Sequence, residues 1–240
     1  MGKTVDQCVQ YFKELNPNHP LSGKESLDGL FKQGARIGIY GSSFDPITNV
    51  HLWTASTVAH RKKLDYIIFL PSNGNRIDKI LQTSNEHRQK MVEMAIENNP
   101  RFILDTYEFH VLPGKQYTYY TMQHYKEVFP LAELFFIIGA DLLVDIADGK
   151  WRMAEELVEN TQFIVMARDG IDMLQTISKS PLLRNHDDGR FQLLDKGLSM
   201  EISSTYIREE LAKGGEPRYL LPDSCYNYLK THNLYQKIVR

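Results

Sequence analysis

From Arg36 onward the chain alternates short apolar runs with amphipathic stretches, and this alternation constrains the fold more than any other feature of the sequence. Alternation on this scale is typical of βαβ units, in which parallel strands are buried between helices. The predicted strands are Arg36–Tyr40, Tyr66–Leu70, Phe102–Asp105, Leu134–Ile138, Phe163–Ala167 and Phe191–Leu194. Helices are predicted to begin near Asn49, Asn85, Thr118, Met153, Ser203 and Asp223. The sequence therefore predicts an α/β fold, a doubly wound parallel sheet with helices on both faces and a C-terminal helical part.

The first 34 residues do not follow this pattern. Val5, Val9, Phe12 and Leu15 have roughly helical spacing, but Asn16-Pro17-Asn18-His19-Pro20 interrupts it. We therefore predict an appended N-terminal segment at residues 1–34 and one domain at residues 35–240. The segment is expected to be dispensable for folding unless it closes an oligomer interface or covers core surface. Residues 170–190 are rich in charged and turn-forming residues, and we expect a mobile excursion there.

Composition excludes several classes of protein. The formal charge is −2 at pH 7, with 28 Lys and Arg against 30 Asp and Glu, so no overall positive field favours a nucleic-acid partner. The two cysteines, Cys8 and Cys225, have neither disulfide-framework nor zinc-site spacing. No stretch reaches the roughly 18 apolar residues of a membrane-spanning helix, and the first residues lack a signal-peptide pattern. These features favour a cytoplasmic protein without a membrane partner, and they leave a homo-oligomer open.

A turn of small residues follows the first predicted strand. Gly41-Ser42-Ser43-Phe44-Asp45-Pro46 lies where a strand's carboxyl end meets the start of a helix, which is where open α/β sheets bind ligands. Small residues let the backbone approach a phosphate, and the helix N-terminus favours its negative charge. The turn matches neither GxGxxG nor GxxxxGK[ST], so the usual dinucleotide and P-loop motifs are excluded. On these residues alone, a purely structural glycine turn remains the alternative.

The longer segment from Gly41 to Leu52 resembles the signature of the nucleotidyltransferase superfamily, G-x-F-[DN]-P-x-[HT]-x-x-H. The resemblance implies a Rossmann-like fold in which His51 donates a hydrogen bond to the phosphorus centre under attack. A cap or a packed side chain is the ordinary alternative for such a histidine. Many bacterial relatives have histidine at the position of Thr48; the Thr-Asn-x-His form resembles eukaryotic members, and we expect the Thr48 hydroxyl to assist catalysis. The ATP contacts implied for this segment are Gly41, Ser42, Ser43, Phe44 and His51.

A second turn lies far along the chain. Glu201 to Arg208 reads as an ordinary capped surface helix when taken alone, because Ser203 or Ser204 is a natural N-cap. The string also resembles the family motif ISSTxIR at every defined position. The resemblance implies that Ser203 and Ser204 hold pyrophosphate oxygens and that Arg208 presents its planar fork of donors to the β- and γ-phosphates.

Segments in the middle of the chain resemble nicotinate and nicotinamide mononucleotide adenylyltransferases within that superfamily. Gln116-Tyr117-Thr118 resembles their [ST]YT segment, and Ile138-Gly139-Ala140-Asp141 followed by Trp151 resembles their GAD…W arrangement. In that family the tryptophan stacks on the pyridine ring of the acceptor, and the Gly-Asp pair lies beside the adenylate. A core role for Trp151 and a solvent-exposed Lys79 are the alternatives. The implied contacts are Gly139 and Asp141 for ATP, and Trp151, Tyr117, Thr118, Lys79 and Glu108 for the acceptor.

The resemblance covers roughly residues 36–240 and implies adenylyl transfer from ATP to nicotinate or nicotinamide mononucleotide, which yields a dinucleotide and pyrophosphate in NAD biosynthesis. The implied partners are small-molecule substrates, with Mg²⁺ carried by ATP and no protein metal site. Two alternatives remain: transfer of an adenylyl or cytidylyl group to another acceptor such as phosphopantetheine, and a nucleotide-binding sensor without turnover. The sequence leaves the choice between nicotinate and nicotinamide open.

Overall fold

The computed structural model describes residues 4–15, 29–75, 81–112, 115–195 and 202–236. Its strands are β1 (Arg36–Ser42), β2 (Tyr66–Pro71), β3 (Phe102–Leu104), β4 (Glu133–Gly139), β5 (Gln162–Met166) and β6 (Phe191–Leu194). They form one sheet in the order β3-β2-β1-β4-β5-β6, and every neighbouring pair is parallel. Each predicted strand is present and lies within two residues of its predicted bounds.

Helices connect the strands. They are α1 (Val5–Leu15), α2 (Asn49–Arg61), α3 (Asn85–Ile96), α4 (Tyr107–His110), α5 (Thr118–Val128), α6 (Ala140–Ala147), α7 (Ala154–Asn160), α8 (Met173–Lys179), α9 (Pro181–Asn185), α10 (Ser204–Ala212) and α11 (Asp223–Thr231). A 3₁₀ turn, Arg218–Leu220, precedes α11. The sheet order reverses between β1 and β4, so the carboxyl ends of these two strands border the crevice where doubly wound sheets bind ligands. The predicted fold class is confirmed.

Alternate side chains of the strands enter two separate cores. On β2, Ile68 and Leu70 belong to one buried cluster, whereas Ile67 and Phe69 belong to the other. Both faces of the sheet are therefore covered, as the near-continuous apolar strands predict. Gly38 on β1 makes the close packing feasible, because a Cβ there would lie 2.7 Å from a side-chain atom of β4.

The N-terminal helix is part of the larger core. Cys8 and Phe12 on α1 are buried in it, with Phe12 packed against Phe129 at a ring distance of 6.1 Å. The expectation that residues 1–34 are dispensable for folding does not fit this burial, because the domain would lose apolar contacts that its own strands and helices do not replace. The domain boundary at residue 34 stays a prediction.

The region of residues 170–190 contains α8 and α9, so the expectation of a mobile excursion is wrong. Met173, Ile177 and Leu183 are buried, while the charged residues between them face outward. Ser180 joins the two helices, and its side chain accepts a hydrogen bond from the Leu183 N–H. The many charged residues in this region obscured the helical spacing of the apolar residues that pack into the core.

The C-terminal helical part is also confirmed. Its own small core consists of Ile207, Leu211, Leu221, Tyr226 and Leu229. Leu234 and Tyr235 pack against both this core and the cluster beneath β1 and β2, which fastens the part to the sheet. Within the described ranges, no helix has the length and apolar character needed to cross a membrane.

Candidate active site

The first phosphate turn begins at the carboxyl end of β1. The carbonyl of Ser42 accepts a hydrogen bond from the Ser72 N–H at 2.9 Å, and the carbonyl of Ser43 accepts one from Arg88 Nη1 at 2.7 Å. Both carbonyls are thereby held by the protein. Gly41 lies against the Phe136 ring, and a Cβ there would be in van der Waals contact with it at 3.4 Å. The turn therefore has a fixed shape in which small residues border the crevice.

Phe44 lies beneath this turn. Its φ is 45°, in the left-handed region that a bulky residue rarely adopts, and its side chain is fully buried. The ring packs edge-on against His51 at 5.1 Å and against Tyr40 at 5.7 Å. A nucleotide could therefore reach only the backbone of Phe44, and its ring supports the imidazole.

His51 is positioned by the start of α2, where Thr48 is the N-cap. The Thr48 N–H donates to His51 Nδ1 at 3.0 Å, and the His51 N–H donates back to Thr48 Oγ1 at 3.4 Å. Because a backbone N–H can only donate, Nδ1 is the unprotonated nitrogen of the neutral ring and Nε2 carries the proton. The capping box thus selects the tautomer that can act as a donor through Nε2.

Thr48 has no exposed surface, and its hydroxyl lies 2.9 Å from His51 Nδ1. The observed partner of this hydroxyl is therefore the histidine. A direct contribution of Thr48 to the reaction stays a prediction, whereas its role in orienting His51 follows from these contacts.

The second phosphate turn is the start of α10. Ser203 is its N-cap and accepts a hydrogen bond from the Tyr206 N–H at 3.1 Å. Arg208, one turn further, donates from Nη2 to Thr205 Oγ1 at 3.0 Å. Its Nε is buried and has no hydrogen-bond partner among the described residues.

The two turns are joined directly. Arg208 Nη1 donates to the backbone carbonyl of Asp45 at 2.6 Å, and Ser204 Oγ donates to the carbonyl of Pro46 at 2.8 Å. In the sequence, Arg208 is 163 positions from Asp45, and Ser204 is 158 positions from Pro46. The structure therefore brings together the two motifs that the sequence analysis singled out separately.

A third group borders the same edge of the sheet at the end of β4. A Cβ at Gly139 would lie 2.3 Å from Asp141 Oδ1, so a side chain there would displace the Asp141 carboxylate. That oxygen is buried without a hydrogen-bond partner in the described part of the chain. Asp141 Oδ2 lies 3.8 Å from Arg168 Nη1, a residue that the sequence analysis missed. Its position just after β5, at the same edge as Gly41 and Gly139, was the signal that could have found it.

Trp151 is separated from the first phosphate turn by one side chain, the ring of Phe136. Its indole packs edge-on against Phe136 at 6.3 Å, and the Phe136 ring also lies next to Gly41. The side chain is half-buried, so part of the indole stays accessible. Next to it, the Arg152 guanidinium lies 6.0 Å from the ring centre of Tyr117. Tyr117 therefore lies near the residue that follows Trp151.

The remaining acceptor candidates are placed as follows. Thr118 is the first residue of α5 and is half-buried. Glu108 lies on α4, and its Oε1 accepts a hydrogen bond from Thr121 Oγ1 at 3.1 Å. Lys79 lies outside the described residues.

Arg88 and the Asp45 side chain were not predicted from the sequence to have a role in the site. Arg88 is fully buried; burial lowers the pKa of its guanidinium, and the Asp45 carboxylate opposes that shift. The Asp45 carboxylate accepts hydrogen bonds from the Gln82 N–H at 2.8 Å, from the Tyr235 hydroxyl at 2.7 Å, and from the Thr83 hydroxyl. These hydrogen bonds attach Asp45, and with it the first phosphate turn, to the rest of the protein.

Comparisons with known proteins agree with this geometry. A model of the cytidylyltransferase-like family matches residues 39–210, a span that includes both phosphate turns. A Clostridium tetani protein named "Probable nicotinate-nucleotide adenylyltransferase" is 37% identical over 199 residues, which cover 82% of this chain and 98% of that protein. The chain belongs to the nicotinate-nucleotide adenylyltransferase family. A Lactococcus lactis protein of the same name is 37% identical over 203 residues, covering 84% of this chain and 96% of its own length.

Solved structures of the nicotinate-nucleotide adenylyltransferase family are similar as well. The Plasmodium falciparum nicotinic acid mononucleotide adenylyltransferase in complex with NaAD has a TM-score of 0.70 and 27% identity, covering 83% of this chain and 97% of that one. A structure of the same enzyme in complex with APC has a TM-score of 0.67 and 25% identity, covering 84% and 97%. The chain is therefore a nucleotidyltransferase, and α1 precedes the region that the family model matches.

Proposed function

We propose that the chain transfers the adenylyl group of ATP to nicotinate mononucleotide in NAD biosynthesis, forming nicotinate adenine dinucleotide and pyrophosphate. The observation that carries this proposal is the direct hydrogen bonding of the two phosphate turns, through Arg208 to Asp45 and Ser204 to Pro46. Transfer between two phosphorylated substrates needs two adjoining phosphate sites, and a single structural turn does not need such a partner.

In the proposed reaction, an oxygen of the acceptor 5′-phosphate attacks the α-phosphorus of ATP in line. The bond from the α-phosphorus to the bridging oxygen breaks, and pyrophosphate leaves with that electron pair. His51 Nε2–H stabilises the charge that builds on the α-phosphate, and the fixed tautomer makes the donor available without rearrangement. Gly41, Ser42 and Ser43 bind ATP through their backbone, and Gly139 and Asp141 border the adenylate.

The second turn would hold the leaving group. Ser203 and Ser204 lie at the start of α10, where backbone N–H groups and the helix dipole favour anions. The Arg208 guanidinium is already oriented by Asp45 and Thr205, and each of its two terminal nitrogens carries a second N–H for a phosphate oxygen. Mg²⁺ is proposed to enter with ATP, held by phosphate oxygens and water; among the described residues, no group of three or more His, Cys, Asp or Glu side chains is arranged to hold a metal ion.

Nicotinate is proposed as the acceptor base because of the names of the curated relatives and of the similar solved structures. Trp151 would stack on the pyridine ring, with Tyr117, Thr118, Glu108 and Lys79 as further contacts. A cytoplasmic location also belongs to the proposal, and it is supported by two buried cysteines that form no disulfide.

The test is a measurement of pyrophosphate release from ATP with nicotinate mononucleotide, nicotinamide mononucleotide or phosphopantetheine as acceptor. The proposal predicts the highest kcat/KM with nicotinate mononucleotide and no release in the His51→Ala variant beyond a small residual rate. Higher kcat/KM with nicotinamide mononucleotide would change the assigned acceptor. Release only with phosphopantetheine would assign another member of the superfamily, and ATP binding without release for any acceptor would indicate a sensor.

A further inference from the structure

The proposed reaction gives no role to the helix α1, yet this helix contacts the part of the molecule that would bind the acceptor. It precedes the region matched by the family model, which begins at residue 39. Cys8 and Phe12 fix it to α5 and the residue after it, because Cys8 Sγ lies 3.4 Å from the Glu127 carbonyl and Phe12 packs on Phe129. Tyr11, between them in sequence, makes a polar contact instead.

A chain of contacts runs from Tyr11 towards β3. The Tyr11 hydroxyl and His124 Nε2 share a hydrogen bond of 3.2 Å. The His124 ring stacks on Tyr107, with ring centres 3.7 Å apart and planes 5° from parallel. The Tyr107 N–H donates to Asp105 Oδ1 at 2.8 Å. Burial and the nearby Asp105 carboxylate both raise the pKa of Tyr11 above its ordinary value, which already keeps the hydroxyl protonated at neutral pH.

The same two helices carry predicted acceptor residues. Glu108 directly follows Tyr107 on α4, and Tyr117 and Thr118 open α5, the helix that carries His124. Thr121 Oγ1 on α5 donates to Glu108 Oε1 at 3.1 Å. The position of Glu108 relative to Thr118 therefore depends on how α4 is held against α5.

The helix α4 cannot hold its own position. It has four residues, and its N-cap Thr106 makes no side-chain capping bond. So short a helix is unstable by itself, and contacts from other elements must fix it. Besides the Asp105 bond, these include the stacking of Tyr107 on His124 and a hydrogen bond of 3.1 Å from Asn73 Nδ2 to the Phe109 carbonyl.

We propose that α1 is a positioning element of the acceptor site, and that Tyr11 acts through His124 and Tyr107 to set the place of α4. This inference rests on the proposed function for the identity of the acceptor. Tyr11 is a positioning residue, since its effect on substrate passes through other side chains. The proposal predicts that a loss at Tyr11 weakens acceptor binding more than ATP binding.

The test variant is Tyr11→Phe, which removes the hydroxyl and keeps the ring that packs edge-on against His124. Tyr66→Phe is the matched control, since Tyr66 packs on the same core but lies at the amino end of β2, whereas α4 follows the carboxyl end of β3. Hydrogen exchange is measured on both variants without ligand, followed by KM for each substrate. Tyr11→Phe should speed exchange in α4 and the start of α5 and raise KM for nicotinate mononucleotide about three- to tenfold, the effect of one lost hydrogen bond. KM for ATP should change less than twofold, and Tyr66→Phe should leave both KM values unchanged.

A second pair of variants tests the route. His124→Phe keeps a ring against Tyr107 but loses the nitrogen that pairs with Tyr11, so the double variant should be no worse than His124→Phe alone. Unchanged exchange in α4 for Tyr11→Phe would overturn the proposal, as would equal changes in the two KM values or additive effects in the double variant. The exchange measurement needs no substrate. If the wild-type protein released no pyrophosphate with nicotinate mononucleotide, the proposed function would be wrong. The exchange data would still show whether Tyr11 holds α4 in place.

Discussion

Arg208 Nη1 donates a hydrogen bond of 2.6 Å to the backbone carbonyl of Asp45, so an arginine of the second phosphate turn is held by the backbone of the first. A carbonyl is a fixed acceptor that no side-chain motion can withdraw. The two phosphate turns are therefore connected to each other in the folded protein itself.

Replacing Arg208 by lysine tests this arrangement. Lysine keeps the charge but replaces the planar fork by a single nitrogen, which cannot occupy the positions of both Nη1 and Nη2 that bond Asp45 and Thr205. We expect a 10- to 100-fold lower kcat/KM for ATP, about the worth of one charged hydrogen bond at 1.5–3 kcal/mol. Steady-state kinetics with saturating acceptor measure it. Arg184→Lys is the control, because Arg184 is an exposed residue of α9. Equal kinetics in the two variants would show that Arg208 does not bind phosphate.

Replacing His51 by alanine tests the chemistry. The loss of one preorganised donor lowers kcat by about 10²–10³-fold, because the donor matters most when charge builds in the transition state. The variant also loses half of the capping box of α2, which costs about 1 kcal/mol of stability. A thermal melt and a rate at saturating substrates are measured on one preparation, with His60→Ala on the exposed end of α2 as control. A rate within about threefold of wild type would contradict the catalytic role.

Trp151→Ala tests recognition of the acceptor ring. A stacked cationic pyridine is worth roughly 1–2 kcal/mol, so KM for the mononucleotide should rise about 5- to 30-fold while KM for ATP stays within twofold. Trp53→Ala is the control, because Trp53 is 40% exposed on α2 and is the chain's other tryptophan. In a Trp53→Phe background, the acceptor should quench the remaining indole fluorescence. A parallel rise in both KM values would indicate that Trp151 only packs against Phe136.

Asp105 gives the stability a specific pH dependence. Burial raises the pKa of its carboxyl from 3.8 to about 6. Between these values the folded state binds more protons than the unfolded state, so the contribution of this group is present at low pH and is lost as pH rises to about 6. The free energy of unfolding falls by about 3 kcal/mol over this interval, because a pKa shift of one unit corresponds to about 1.4 kcal/mol.

Asp105→Asn removes that titration and keeps the shape of the neutral acid. The free energy of unfolding in urea is measured from pH 4 to 7 for both proteins, and the wild type should lose stability relative to the variant as pH rises. Asp188→Asn is the control without a titration in this range, since the Arg190 side chain lowers the pKa of that exposed carboxyl to about 2, and its effect on stability lies below about pH 4. A constant difference between wild type and Asp105→Asn across this range would show that Asp105 is ionised throughout.

The strands could be predicted from the sequence because a parallel strand buried on both faces must be apolar along its length. Short helices could not: α4 has four residues and α6 has eight, too few for an apolar period to stand out from the adjoining strand. The burial of α1 was unpredictable for another reason. Its spacing indicated a helix, but no local pattern states that Phe12 packs on Phe129, more than a hundred residues later.

The site shows the same division. The motifs identified Gly41, His51 and Arg208, because the chemistry demands those residue types. Arg88 was missed because its partner is the backbone carbonyl of Ser43, which has no signature in the sequence. The left-handed φ of Phe44 was equally invisible, since the residue type argues against it.

The bond from the Tyr235 hydroxyl to Asp45 has a consequence for the order of events during synthesis. The two residues are 190 positions apart, so at roughly 5–20 residues per second a ribosome adds Tyr235 about 10–40 s after Asp45. Throughout that interval the first phosphate turn lacks one of the groups that hold it, as well as Arg208 until α10 has emerged. The first phosphate turn should therefore reach its final set of contacts only after residue 235 has been added, and an mRNA truncated before that codon would encode a protein that has the motif but lacks this bond to Asp45.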